Sequence, residues 1–413
     1  MTTATLITGM PGDAMNPTPP SPRLTGSFLV GFDRGKTDEG QDFLESQGIR
    51  FPETAESGSK THNEVYSTIG VAVVTPNPEQ LKSIQQAVKD ENIPINSVLP
   101  ETEFRVNPKP SLRQGAPDPS KDATWGLKVT NVVNSPYSGN GIKIAVLDTG
   151  FDFSHPDFAG RISASQRMSF VEGLTEAQDD YGHGTHCTGI ACGPKSPDNT
   201  SVRYGIAYGA EVYIGKVLRS DRTGLGRWII AGMNWAMQNG CHIISLSMET
   251  PVLSGSVGLM QTQFFEKKAK EALDRDVLII AAAGNFSYRN SRPPTFAPVS
   301  NPANARSIMA VGAIDANYQI APFSDRAQNP DGGEVNIAAP GVGVYSSWLV
   351  DEKYKYVDGT SQATPYVTGI AALYAEKEGL RGKALWDCIC KNARPLTNLS
   401  GDDVGAGLIQ APQ

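Results

Sequence analysis

Cysteine, histidine, basic surplus and long apolar runs are all scarce in this chain. Its 413 residues hold five cysteines: Cys187, Cys192, Cys241, Cys388 and Cys390. Their odd number leaves at least one thiol free in a monomer, and the uneven spacing is no disulfide framework. Cys388 and Cys390 could pair or hold a metal, but they read as small hydrophobes. Lys+Arg 36 against Asp+Glu 43 gives a net charge of −7, which excludes the basic surplus of a nucleic-acid binder. No apolar run approaches the ~18 residues of a membrane-spanning helix. The first 22 residues lack the basic end and apolar run of a secretory signal. The expectation is a cytoplasmic protein, or a secreted one whose signal precedes this sequence. No internal repeat is present. Hydrophobic residues at 39% and charged residues at 19% exclude wholesale disorder. Gly 42 and Pro 29 point to many tight turns.

The chain divides by pattern. Residues 1–23 are proline-rich and nearly uncharged, a disordered tail. Residues 24–106 alternate strand, helix, strand, helix, strand: 24–32, 38–48, 65–75, a helix opened by Asn77-Pro78-Glu79, and 95–101. That order suits a small α+β ferredoxin-like domain. Residues 107–120 carry Pro108, Pro110, Pro117 and Pro119 and read as an exposed linker. Residues 121–413 change character. Short continuous apolar runs at 142–147, 211–218, 242–248, 277–283 and 308–314 read as strands buried on both faces. Residues 228–237 and 264–273 read as crossover helices. The expected fold is α/β, a doubly wound, mostly parallel sheet with helices on both faces.

Four segments carry chemistry. Residues 142–148 form a strand ending in Asp148-Thr149-Gly150, an acid at the strand end where open α/β sheets place their sites. A capping role is the plain alternative. Gly182-His183-Gly184-Thr185-His186-Cys187 holds two of only five histidines, with glycines that let a ligand approach His183. Zinc is an alternative there, though no HExxH or CxxC pair accompanies it. Gly284-Asn285 ends the strand at 277–283 and either turns the chain or aims an amide at a developing oxyanion. Gly359-Thr360-Ser361-Gln362-Ala363-Thr364-Pro365 runs into an apolar helix, so Ser361 is a helix cap or an exposed hydroxyl beside helix amides. Ala363 excludes the G-x-S-x-G elbow.

Taken in order, Asp148, His183, Asn285 and Ser361 resemble the subtilisin-like serine proteases, the subtilases. Their D-T-G, G-H-G-T-H and G-T-S-x-A-x-P blocks match across most of residues 125–413. The resemblance implies a serine endopeptidase with Asp148, His183 and Ser361 as triad and Asn285 in the oxyanion hole. It implies polypeptide substrates, no catalytic cofactor, and a monomer. It makes residues 24–106 a propeptide, an inhibitor and folding chaperone whose tail lies in the cleft. The self-cut then falls between about Phe104 and Ser120.

The resemblance also assigns a cleft. Gly224, Leu225 and Gly226 pair with the substrate backbone, and Gly226 leaves a roomy pocket for the fourth residue before the cut. Ser247, Met248 and Glu249, with Ala282 and Gly284, line the main specificity pocket. Glu249 favours a basic residue before the cut or faces water. Cys187 packs under the histidine as a free thiol. Structural Ca²⁺ falls to Asp157 and Asn199. Three other functions compete. An aspartic protease would need a second DTG or DSG. A peptide-binding pseudoprotease would lack an intact set. A cytoplasmic maturation protease would serve one peptide precursor.

Overall fold

The computed structural model describes residues 23–51, 63–111, 122–252, 255–328 and 333–413. Residues 1–22 of the expected tail, 112–120 of the expected linker and residue 121 lie outside the described residues.

The N-terminal part runs β1 (Leu24–Phe32), α1 (Thr37–Ser46), β2 (Glu64–Tyr66), β3 (Val71–Val74), α2 (Pro78–Ala87) and β4 (Ile95–Arg105). Asn77 caps α2, accepting the Glu79 and Gln80 amides, while the Gln80 side chain returns to the Asn77 amide. The run at 65–75 is two strands rather than one. A short 3₁₀ turn at Ser67–Ile69 folds β3 back, antiparallel, on β2. Strand β1 lies between β3 and β4, antiparallel to both. Period two splits its side chains: Val30 and Phe32 join Leu44 and Ile84 in a local core, while Leu29 enters a core shared with the larger part.

The larger part opens with β5 (Lys109–Pro110), α3 (Trp125–Val129), β6 (Lys143–Asp148), β7 (Arg167–Ser169) and α4 (His183–Cys192). It continues through β8 (Glu211–Lys216), β9 (Thr223–Leu225), α5 (Gly226–Gln238), β10 (Ile243–Leu246), α6 (Gly255–Leu273) and β11 (Leu278–Ala282). It closes with β12 (Met309–Ile314), β13 (Ile337–Pro340), β14 (Val344–Ser347), β15 (Tyr354–Asp358), α7 (Thr360–Glu378), α8 (Gly382–Lys391) and α9 (Gly401–Val404).

Seven strands form a parallel sheet in the order β13-β12-β11-β10-β6-β8-β7. Alternate residues serve opposite faces. Ile144, Val146 and Ile280 meet Ile190 of α4 and Val367 and Ile370 of α7; Ala145, Leu147 and Ile279 meet Trp228 of α5 and Phe265 of α6. Burial on both faces is why these strands read as unbroken apolar runs. Chain order reverses between β6 and β10, and the carboxyl ends of β6, β10 and β11 open on the same edge.

The N-terminal part packs on α5 and α6. Buried Glu101 accepts the Arg227 amide at 2.7 Å and grips its guanidinium, with Nη2 to Oε2 at 2.7 Å. Gln261 Nε2 donates to Thr102 Oγ1 at 2.7 Å, and buried Lys268 donates to the Gly70 carbonyl at 3.0 Å. Strand β4 then runs on beside β9, Phe104 opposite Gly224. The linker expectation needs correction here. Residues 109–110 pair with β15, Lys109 opposite Asp358 and Pro110 opposite Val357, so the chain is held rather than free.

Candidate active site

Asp148 ends β6, and His183 opens α4. Gly182 has φ 110°, and a Cβ there would run into the Trp348 ring, so only glycine fits this entry. The Asp179 carboxylate accepts the amides of Tyr181 (3.0 Å), Gly182 (2.8 Å) and Thr185 (2.9 Å) and so satisfies the helix start. Thr149 Oγ1 takes the Gly184 amide at 2.8 Å. Buried Lys216 donates to the Thr149 carbonyl at 2.6 Å and to Asp180 at 2.7 Å. These contacts fix His183 against Asp148: Nδ1–H donates to Oδ1 at 2.8 Å and approaches Oδ2 at 3.0 Å. Burial opposes charge on the ring, but Asp148 outweighs it and holds the imidazole pKa well above its ordinary value. With Nδ1 committed, Nε2 is free to take a proton.

Cys187, one turn on, places its sulfur 3.8 Å and 3.9 Å from the two ring nitrogens and 3.4 Å from the Ser361 carbonyl. It is a free thiol whose pKa burial pushes up, and its place under the ring agrees with the resemblance. Cys192 and Cys241 are also buried, while Cys388 and Cys390 are half-buried; none is bridged.

Ser361 is the second residue of α7, beside the helix amides. Its Oγ is buried and makes no hydrogen bond; its carbonyl accepts Ser247 Oγ at 2.9 Å. Asn285 is tied to the same turn. Its Oδ1 accepts the Thr360 amide at 2.9 Å and Thr360 Oγ1 at 3.1 Å, and its Nδ2 donates to Glu249 Oε2 at 3.0 Å. One Nδ2 hydrogen therefore remains for a ligand. Asp148 and His183 are joined directly, Cys187 bridges His183 to Ser361, and Asn285 is fixed on the residue before Ser361.

Of the residues assigned to a cleft, Ser247 reaches the Ser361 carbonyl, Glu249 reaches Asn285, and the Gly284 amide donates to Thr360 Oγ1 at 3.2 Å. Gly224 and Leu225 lie in β9 opposite Phe104 and Glu103, and Gly226 backs onto Glu101 and Leu29. Phe104 is buried and meets the Phe265 ring edge-on at 5.7 Å. Met248 and Ala282 are buried. Glu249 is also buried with residues 105–109 against it; its main chain exchanges bonds with Arg105, N–H to O at 2.8 Å and O from N–H at 3.0 Å. Gly284 has φ 121°, and a Cβ there would meet the Asp325 carboxylate.

Two metal expectations fare differently from the cleft. His186, the second histidine of the zinc alternative, turns Nε2 to the Lys355 carbonyl at 3.1 Å, away from the pair, and burial lowers its pKa to about 3. The calcium positions do not fit the ion. Asp157 Oδ2 accepts the hydroxyls of Tyr204 (2.6 Å) and Tyr354 (2.9 Å), and Oδ1 the Asp198 amide at 3.0 Å. Asn199 Oδ1 faces the Lys353 ammonium at 3.4 Å. Donors and a cation already stand where Ca²⁺ would need bare oxygens.

The subtilase family model matches residues 139–407. This chain belongs to the subtilase family. Subtilisin DY of Bacillus licheniformis is 35% identical over 251 residues, 61% of this chain and 82% of that protein. Subtilisin BL of Lederbergia lenta is 36% identical over 261 residues, 62% of this chain and 86% of its own. M-protease of Shouchella clausii (strain KSM-K16) is 32% identical over 358 residues, 84% of this chain and 86% of its own. The last match is longer than the family model's span and reaches into the N-terminal part. The subtilase is a subtilisin-like serine endopeptidase acting on polypeptides, of a family that typically binds calcium and needs no catalytic cofactor. Among its described residues no helix is long and apolar enough to cross a membrane.

Sequence reading of this subtilase missed Asp179, Lys216 and Trp348. Asp179 had a signal, an acid just ahead of a glycine-flanked histidine that opens a helix. Lys216 ends an apolar strand, and nothing in its surroundings in sequence marks its bond to Thr149.

Proposed function

We propose that Asp148, His183 and Ser361 act as the triad of a zymogen whose N-terminal domain, residues 24–106, fills its own cleft. His183 Nε2 removes the Ser361 proton as Oγ attacks the peptide carbonyl carbon, and Asp148 stabilises the imidazolium and fixes its tautomer. The carbonyl oxygen, now negative, receives Asn285 Nδ2–H and the Ser361 amide at the positive end of α7. The imidazolium then gives its proton to the leaving nitrogen, the C–N bond breaks, and water reverses the steps on the acyl-serine.

The observation that carries this reading is the 2.8 Å Asp148–His183 hydrogen bond, packed through Cys187 onto the turn that holds Ser361. The zymogen reading is supported by the path of residues 103–110. They lie between β9 and Glu249 on one side and reach β15, which leads through Gly359 to Ser361, on the other. Asn107–Pro108 lies between the pairings of Arg105 and Lys109. Its nitrogen carries a ring carbon instead of a hydrogen, which crowds the approach of His183 and makes the bond a poor one to cut. Release then requires a cut further along, in residues 111–121. Intact-mass and N-terminal measurements on wild type beside Ser361→Ala test this. Self-cleavage lost with the hydroxyl supports it, and equal cleavage in both overturns it.

A further inference from the structure

We propose that Glu249 is a specificity-determining residue that selects a lysine or arginine side chain immediately before the cut. The proposal rests on the endopeptidase reading above and names its substrate class.

The register of the cleft-bound strand identifies the residue in question. Upstream, Arg105 exchanges both main-chain bonds with Glu249, and the Val106 amide donates to the Arg222 carbonyl at 3.1 Å. Downstream, Lys109 lies opposite Asp358, three residues ahead of Ser361. Asn107 therefore stands before the bond that crosses Ser361. Its side chain lies against the Glu249 carboxyl.

Among the described residues no cation stands in ion-pair contact with that carboxyl. Glu249 is buried; Oε2 accepts the Asn285 side-chain amide at 3.0 Å, and the Asn107 side chain also reaches the carboxyl. Oε1 is buried with no hydrogen bond. The cations acting on it, Lys109 and Arg105, both belong to the cleft-bound strand. When that strand leaves, its counter-charges leave with it. A second carboxyl, Asp325, lies behind Gly284. It too is buried, its oxygens held by the Phe286 and Ser287 amides at 2.9 and 2.8 Å and by Ser300 Oγ at 3.3 Å. Burial and the Glu249 charge both raise its pKa. Burial raises the Glu249 pKa to about 7, and an incoming guanidinium or ammonium would both partner the unpaired oxygen and hold the carboxyl charged. Asn107 is neutral and does this poorly, as suits an occupant that must eventually be displaced.

The competing role for Glu249 is only to hold Asn285. Glu249→Gln separates the two, because it keeps an acceptor for Nδ2 and removes the charge. The full chain is assayed with fluorogenic peptides that differ only in Arg, Lys, Leu or Phe before the cut, as wild type, Glu249→Gln and Ser361→Ala. The expected result is kcat/KM for Arg or Lys at least about tenfold above Leu or Phe, with that ratio falling about tenfold or more in Glu249→Gln. Equal or better cutting after Leu or Phe in wild type, or a ratio that Glu249→Gln does not move, overturns the proposal alone. Turnover of every peptide by Ser361→Ala at the wild-type rate, or of none by wild type once it has cleaved itself, strikes instead at the endopeptidase reading.

Discussion

Arg105 and Glu249 exchange both of their main-chain hydrogen bonds, at 3.0 and 2.8 Å, and so join the end of the N-terminal domain to the floor of the cleft. On the zymogen reading, this antiparallel pairing sets which bond of the chain lies across Ser361. With Asn107–Pro108 in that place, wild-type protein is expected to cut itself within residues 111–121. Pro108→Ala restores an ordinary amide and is expected to raise the fraction cut at 107–108 by roughly tenfold, read by intact mass.

Glu101 holds the other end of that interface. It is fully buried against Arg227, and removing one partner of such a pair costs about 2–5 kcal/mol. Glu101→Ala is expected to loosen the N-terminal domain and raise hydrolysis of a small fluorogenic peptide at fixed enzyme concentration. An unchanged or lower rate contradicts a blocking role for this contact.

The pH profile follows from His183. As base it must be neutral, and Asp148 raises its pKa above the ordinary ~6.5 against the effect of burial. The acid limb of kcat/KM is expected above pH 6.5. Because folding raises this pKa, the charged ring stabilises the fold fully below ~6.5, and that contribution is lost as pH rises through the folded value. Asp148→Asn removes the cause and is expected to lower kcat by about 10⁴. A rate flat from pH 5 to 9 contradicts His183 as base.

Asp157 is satisfied by Tyr204, Tyr354 and the Asp198 amide. Asp157→Ala leaves two hydroxyls without their acceptor and is expected to cost about 2–4 kcal/mol, measured by urea unfolding. Exchanging calcium for a chelator is expected to move the melting temperature equally in wild type and Asp157→Asn. A shift seen only in wild type would restore a calcium site there.

The sheet was legible because its strands are buried on both faces, so Ile144-Ala145-Val146-Leu147 and Leu278-Ile279-Ile280 show as unbroken apolar runs. Helix α4 was not, since His183–Cys192 is rich in Gly and Thr, weak helix formers that hold their shape through Asp179 and Thr149. Asp148, His183, Asn285 and Ser361 stood out as blocks. Long-range pairing did not: Lys109 and Pro110 sit in a proline-rich stretch that reads as linker, and only β15 makes them a strand. The Glu249–Asn285 bond was hidden for the same reason, because 36 residues separate its partners.

The most direct measurement is covalent labelling with a fluorophosphonate of the Glu101→Ala chain, whose N-terminal domain is loosened, followed by peptide mapping. The account predicts one adduct, on Ser361, that His183→Ala suppresses by orders of magnitude. A chain that hydrolyses peptides while Ser361 stays unlabelled, or labels equally without His183, would contradict it.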